Sequence, residues 1–244
     1  MGIRRVALGA SAALLAGAGY MATTWYRYGR TRAVPSGDEL LDRFMPVYEV
    51  RERHQTRVRA PVEATFAAAR ALELNRSPLV RAIFRGRELL MGSSAGAARP
   101  PRPFLDEVLS LGWRVLAETP GREVVLGAVT QPWQADVVFR GVPPEEFAAF
   151  DEPDCVKIAW TLAVNPLGPD ESVFRTETRV ASTDLSARRK FRRYWAVVSP
   201  GILLIRRETL RLVKQAAEGG SRSQARPISG RATSDISSFP HDRS

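Results

Sequence analysis

Glu177 stands between Arg175 and Arg179 in the segment RTETR, with Thr176 and Thr178 at the intervening positions. Residues two apart on a strand point to one side, so the carboxylate and both guanidinium groups share a face and the threonines take the other. Turned inward, the charged row makes a polar cavity floor with Glu177 as a candidate acid or base. Turned outward, it makes a row of ion pairs. Phe174 and Val180 lie in phase with the threonines, which makes the threonine face the inner one and favours the outward row. His54 and Cys155 are the other reactive groups. His54 reads as a strand surface residue or a base, and Cys155, which opens a strand, as a buried thiol. No catalytic residue is assigned.

No nucleotide-binding, zinc-binding or activated-serine motif occurs at its required spacing. GSSAGAARPP at 92–101 lacks the lysine of a phosphate loop and reads as a flexible connection. Two histidines and one cysteine exclude a histidine-rich metal site and an intramolecular disulfide framework. No metal and no cofactor are implied. The chain of 244 residues carries a net charge of +10, which points to an anionic partner. The arginines are spread along the sequence, no aromatic residue is interleaved with the outward arginines of the last helix, and no groove-reading motif is visible, so nucleic acid is not expected.

Elements to position these groups can be read along the chain. Residues 1–28 form an anchor or signal: Val6–Ala22 is an uncharged run at the short edge of a spanning helix, followed by Trp25, Tyr26 and Tyr28 where an interfacial belt would lie. A single-pass anchor is expected, or a secreted protein after cleavage near Ala16-Gly17-Ala18; the side of the membrane is open. Residues 29–45 read as a linker with a helical turn at Asp38–Phe44, and 219–244 as a disordered tail rich in Ser, Gly, Arg and Pro.

Between 46 and 218 lies one α+β pattern. Tyr48–Val58 alternates as a strand. Pro61 and Pro78 open two helices, and FLDEVLSLG forms a short one. Strands are expected at Trp113–Glu118, Glu123–Val129, Asp136–Arg140, Phe147–Asp151, Val156–Val164 and Ser172–Ser182. A long helix closes the series. On it Phe191, Trp195, Val198, Ile202, Ile205, Thr209 and Leu212 recur at spacings of four and three, one continuous stripe. Arg189, Arg193, Arg207 and Arg211 fall opposite, while Arg188 and Arg206 sit at the stripe's margin. There they either snorkel or pair with Glu177 or an anionic ligand group.

This order of elements, with RVRAPVEATFAAA, FRTETRV and ARRKFRRYWAVVSPGILLIRR, resembles the START/polyketide-cyclase-like (SRPBCC) superfamily over about Val47 to Glu218. The resemblance implies a helix-grip fold, in which a curved antiparallel sheet wraps a long C-terminal helix and leaves a cavity for an apolar ligand, here below an N-terminal transmembrane helix. The expected cavity lining is Trp113, Phe139, Trp160, Phe174, Trp195, Val198 and Ile202, with Glu177, Arg188 and Arg206 as a polar floor or mouth. The expected function is membrane-tethered binding of a small apolar or amphipathic, lipid-like or polyketide-like ligand. The alternatives are a cyclase or dehydrase acting on an aromatic or polyketide-like substrate, and a structural or regulatory protein without a ligand.

Overall fold

A computed structural model describes residues 37–92 and 102–224, together with Gly19 and Thr23. The elements run α1 (Glu39–Phe44), β1 (Val50–Val58), α2 (Val62–Ala71), a 3-10 turn (Leu74–Arg76), α3 (Pro78–Met91), α4 (Phe104–Ser110), β2 (Arg114–Thr119), β3 (Glu123–Thr130), β4 (Phe139–Arg140), α5 (Pro144–Phe147), β5 (Val156–Gly168), β6 (Glu171–Ser182) and α6 (Leu185–Gln224). The strands form one antiparallel sheet in the order β1-β6-β5-β3-β2, with β4 on the end of β3. The result is an α+β fold with an antiparallel sheet and a long C-terminal helix, as the element order implied. The segment Val6–Ala22, Gly19 excepted, and residues 225–244 lie outside the described residues. Among the described residues no helix is long and apolar enough to cross a membrane.

Two sequence expectations change. Phe147–Asp151 is not a strand; Pro143 and Pro144 open α5 instead, and Phe147 is fully buried at its end. A Cβ on Gly127 would lie 2.8 Å from Phe147 Cε2 and 2.5 Å from Leu116 Cδ1, so the ring seats where β3 has no side chain. The expected strand Asp136–Arg140 shrinks to the two residues of β4.

Register assigns the faces. Glu52, Thr178, Trp160 and Leu126 stand in one lateral row, and Arg53, Glu177, Thr161 and Val125 in the next. Alternation sends the first row to the inner face, beneath α6, and the second to the outer face. On α6 the stripe faces inward: Phe191, Trp195 and Thr209 are buried, whereas Arg189, Arg193, Arg207 and Arg211 are exposed.

The outer face holds the largest departure from expectation. Arg175, Glu177 and Arg179 do point away from α6, but they are buried, because α1 and the residues after it lie across them. Arg179 donates from Nε to Glu177 at 2.9 Å and from Nη1 to the Met45 carbonyl at 2.7 Å; its Nη2 lies 2.7 Å from Asp42, and its guanidinium carbon stands 4.8 Å from the Tyr48 ring centre. Arg51 reaches the same Glu177 carboxylate with two bonds of 2.9 and 3.1 Å. Asp38 caps α1 by accepting from Leu41 N–H at 3.0 Å and pairs with Arg175, whose other nitrogen faces Glu123 at 3.4 Å. Asp38–Met45, read from sequence as the end of a linker, thus closes the sheet, with Leu41, Phe44 and Met45 in the core beside it.

Burial, and then the nearby Asp38 carboxylate, raise the pKa of Glu123. The folded state therefore holds this proton more tightly than the unfolded chain. The resulting stability is present below the unfolded value of about 4.3 and is lost as pH rises through the raised folded value. Urea midpoints measured across this range should show Glu123→Gln losing that slope. Arg179→Met, which leaves Glu177 to Arg51 alone and takes the donor from the Met45 carbonyl, should cost about 1–3 kcal/mol in the same assay. Gly127→Ala should cost about 1–3 kcal/mol through overpacking against Leu116 and Phe147.

Candidate functional site

Inner-face apolar side chains form two clusters. One gathers Val50, Val156, Val180, Phe191 and Trp195; the other centres on Trp160, Leu162, Phe174, Leu210 and Val213. Polar residues lie between them. Glu52 and His54 come from β1, and their cross-strand partners Thr178 and Thr176 from β6. Arg206 descends from α6 and donates to Thr178 Oγ1 at 2.5 Å. Along this interval the helix does not seal the sheet. Ile158, Val198, Ile202 and Ile205 all face the interface yet stay partly exposed, and the Glu52 and His54 side chains each retain 21% exposure.

His54 Nε2 is buried 3.5 Å from Glu52 Oε2. The separation exceeds that of a good hydrogen bond, although contacts of this kind tighten when a substrate is bound. A carboxylate facing Nε2 favours the proton there and leaves the Nδ1 lone pair to accept one from a ligand. Arg206 adds a donor for a carbonyl or enolate oxygen. Glu52 and Arg206 carry opposite charges, so the belt is close to neutral and suits an uncharged polar group. Among the described residues, no three His, Cys, Asp or Glu side chains converge as metal ligands.

An aromatic wall flanks the belt on the β2 side. Trp160 lies 5.5 Å from Phe104 and 6.0 Å from Trp113 between ring centres, and Trp113 lies 5.1 Å from Phe139. Phe174 is sealed in the core, and Trp195 stacks on Phe191 at 5.6 Å. Further along α6 opens a pocket of ≈ 350 Å³, walled by Leu90 and Met91 from the end of α3, Trp133 from the loop after β3, and Tyr194, Val197 and Val198 from α6, with Lys190 and Arg193 at its rim. Of the expected lining residues, Val198 faces this pocket. Trp113, Phe139 and Trp160 form the aromatic wall, and Ile202 sits between pocket and belt.

The three expected polar residues separate. Arg206 joins the belt. Arg188 pairs with the buried Glu49 at 2.7 Å, away from the belt, and Glu49 also accepts from Ser182. Glu177 lies on the opposite face of the sheet, already bound by arginines, so it offers nothing to a ligand in the groove. Cys155, expected as a buried thiol, is only partly buried, and desolvation raises its pKa, which disfavours the thiolate. Sequence reading passed over Glu52, although its signal was present: in YEVRERHQTRV, Glu52 and His54 keep phase with Val50 and Val58, the two buried ends of the strand. The apolar ending ELLM of α3 was a similar unused sign of the pocket wall.

No protein-family model and no curated protein matches the chain. Solved structures do, at low identity. The chain is similar to the di-domain ARO/CYC protein BexL, with 12% identity, 69% of this chain and 46% of that chain covered, and a TM-score of 0.31. It therefore spans less than half of that relative's length. A START superfamily protein from Mycobacterium smegmatis shares 14% identity over 72% of this chain and 99% of that one, with a TM-score of 0.26. Norcoclaurine synthase from Thalictrum flavum, in complex with dopamine and hydroxybenzaldehyde, shares 12% over 73% and 89%, with a TM-score of 0.27. At TM-scores of 0.31 and below, these likenesses assign this chain no family, residue role or ligand.

Proposed function

We propose that this chain binds a small apolar or amphipathic molecule, lipid-like or polyketide-like, between α6 and the inner face of the sheet, and that residues 1–28 hold it at a membrane as a single-pass anchor. The observation that carries the binding reading is the incomplete closure of the interface. Val198, Ile202 and Ile205 point at the sheet and remain partly open to solvent, beside a ready-made aromatic wall. Covering apolar surface of this kind contributes roughly 25 cal/mol per Å². The polar belt gives the ligand a place for one hydrogen-bonding group, the usual composition of a small-molecule site. The anchor rests on the uncharged run Val6–Ala22 and its aromatic flank.

The Glu52–His54 pair favours a second reading: an enzyme that moves a proton on an aromatic or polyketide-like carbonyl compound. His54 Nδ1 takes the proton and Arg206 holds the oxygen that gains charge.

Mass spectrometry of organic extracts from the purified full-length chain tests both readings. One co-purifying apolar or amphipathic species is expected. Ile202→Trp, which fills the interval between pocket and belt, should lower its recovery about tenfold, as a loss of about 1.4 kcal/mol would, while leaving the urea midpoint nearly unchanged. A species that is the same in wild type and in His54→Gln supports binding without conversion. A different species accumulating in His54→Gln supports the acid–base reading. Extracts holding no such molecule would sink both.

A further inference from the structure

The pocket between α3 and α6 opens onto an apolar surface ringed by cations. Leu90 walls the pocket and is 62% exposed, its neighbour Leu89 is 85% exposed, and Val197 on the facing helix is 48% exposed. These are large apolar side chains presented to water, not single scattered ones. Arg193 is at the rim and Arg189 lies one helical turn before it, both exposed and neither in an ion pair among the described residues. Arg81 and Arg85 are exposed on α3 itself. The nearby acids do little to cancel this charge: Asp154 is taken by Lys190 at 2.7 Å, and Glu88 is half-buried on α3.

We infer that the end of α3 and the N-terminal half of α6 form a docking face for an anionic lipid bilayer, with Leu89 and Leu90 entering the headgroup region and the pocket mouth turned toward the lipid. Apolar side chains flanked by arginines are the composition that binds such a surface, the leucines by burial and the cations by attraction to anionic headgroups. The chain's net charge of +10 acts in the same direction. A ligand drawn from the bilayer would then enter the pocket without crossing water. The inference rests on the membrane-tethered binding reading and deepens it by naming the surface that meets the membrane.

The test uses the full-length chain in a Cys155→Ser background, with an environment-sensitive nitrobenzoxadiazole label on Leu89→Cys or Leu167→Cys. Leu167 is also an exposed leucine, at 54%, but it lies at the tip of the β5–β6 hairpin, the end of β6 remote from the start of α6. Vesicles of phosphatidylcholine alone are compared with an equimolar phosphatidylcholine–phosphatidylglycerol mixture. The label at 89 should brighten several-fold and shift to the blue on the mixed vesicles only, the label at 167 should not respond, and Arg189→Gln/Arg193→Gln should abolish the response at 89. Raised salt should weaken it. Equal responses at 89 and 167, equal responses on both vesicles, or no response at 89 would each overturn the docking face; the last would leave the patch to a protein surface. Extracted ligand without a response at 89 refutes docking alone, and a response without extractable ligand refutes the binding reading alone.

Discussion

β6 is covered on both sides, and the rest of the structure depends on how its outer side is closed. On that side stand two arginines and a glutamate, groups whose removal from water is expensive unless every charge and donor is met. The segment Asp38–Tyr48 meets them. Asp42, the Met45 carbonyl and the Tyr48 ring surround the Arg179 guanidinium, and Asp38 holds Arg175 while capping the helix that carries Leu41 and Phe44 into the core. Ion pairing and apolar packing on this face are therefore one event. Without the segment, Glu177 would keep Arg51 but the row would face water, and the apolar side chains of the outer core would lose their cover.

With the outer face fixed, the inner face is free to be imperfect. The two apolar clusters on either side of the belt are enough to seat α6, so Glu52 and His54 need not be packed over, although Thr176 and Thr178 beside them are buried. The partial exposure of Glu52 and His54 is what distinguishes this interval from the closed core around Phe174. A sheet stiffened from behind keeps the β1–β6 register that sets Glu52 and His54 in line with the two threonines.

Much of this was legible in the sequence. The alternation of Phe174, Thr176, Thr178 and Val180 identified the inner face of β6, and the spacing from Phe191 to Leu212 identified the inner side of α6. Arg188 and Arg206 were both placed at the margin of that stripe. Their different partners, Glu49 and Thr178, depend on cross-strand register and on which element lies nearby, and neither follows from one segment alone. The burial of Glu177 was missed for the same reason. Periodicity tells which way a side chain points but not what comes to lie over it, and the covering helix is a six-residue stretch distant in sequence. Phe147 misled as a strand because its apolar character serves a different purpose, filling the space left by Gly127.

α3 is held lightly by comparison with the sheet. Val80 is its one fully buried side chain among fourteen residues, and it approaches α6 at Gly201, where an added Cβ would lie 2.9 Å from Ile83. Lifting this helix would uncover little apolar area that water does not already touch, so its free energy of local opening lies far below that of global unfolding. The wall of the pocket is thus the most yielding part of the framework around it. On the binding reading, the pocket volume, ≈ 350 Å³ as it stands, would follow the position of α3 while the strands keep their register.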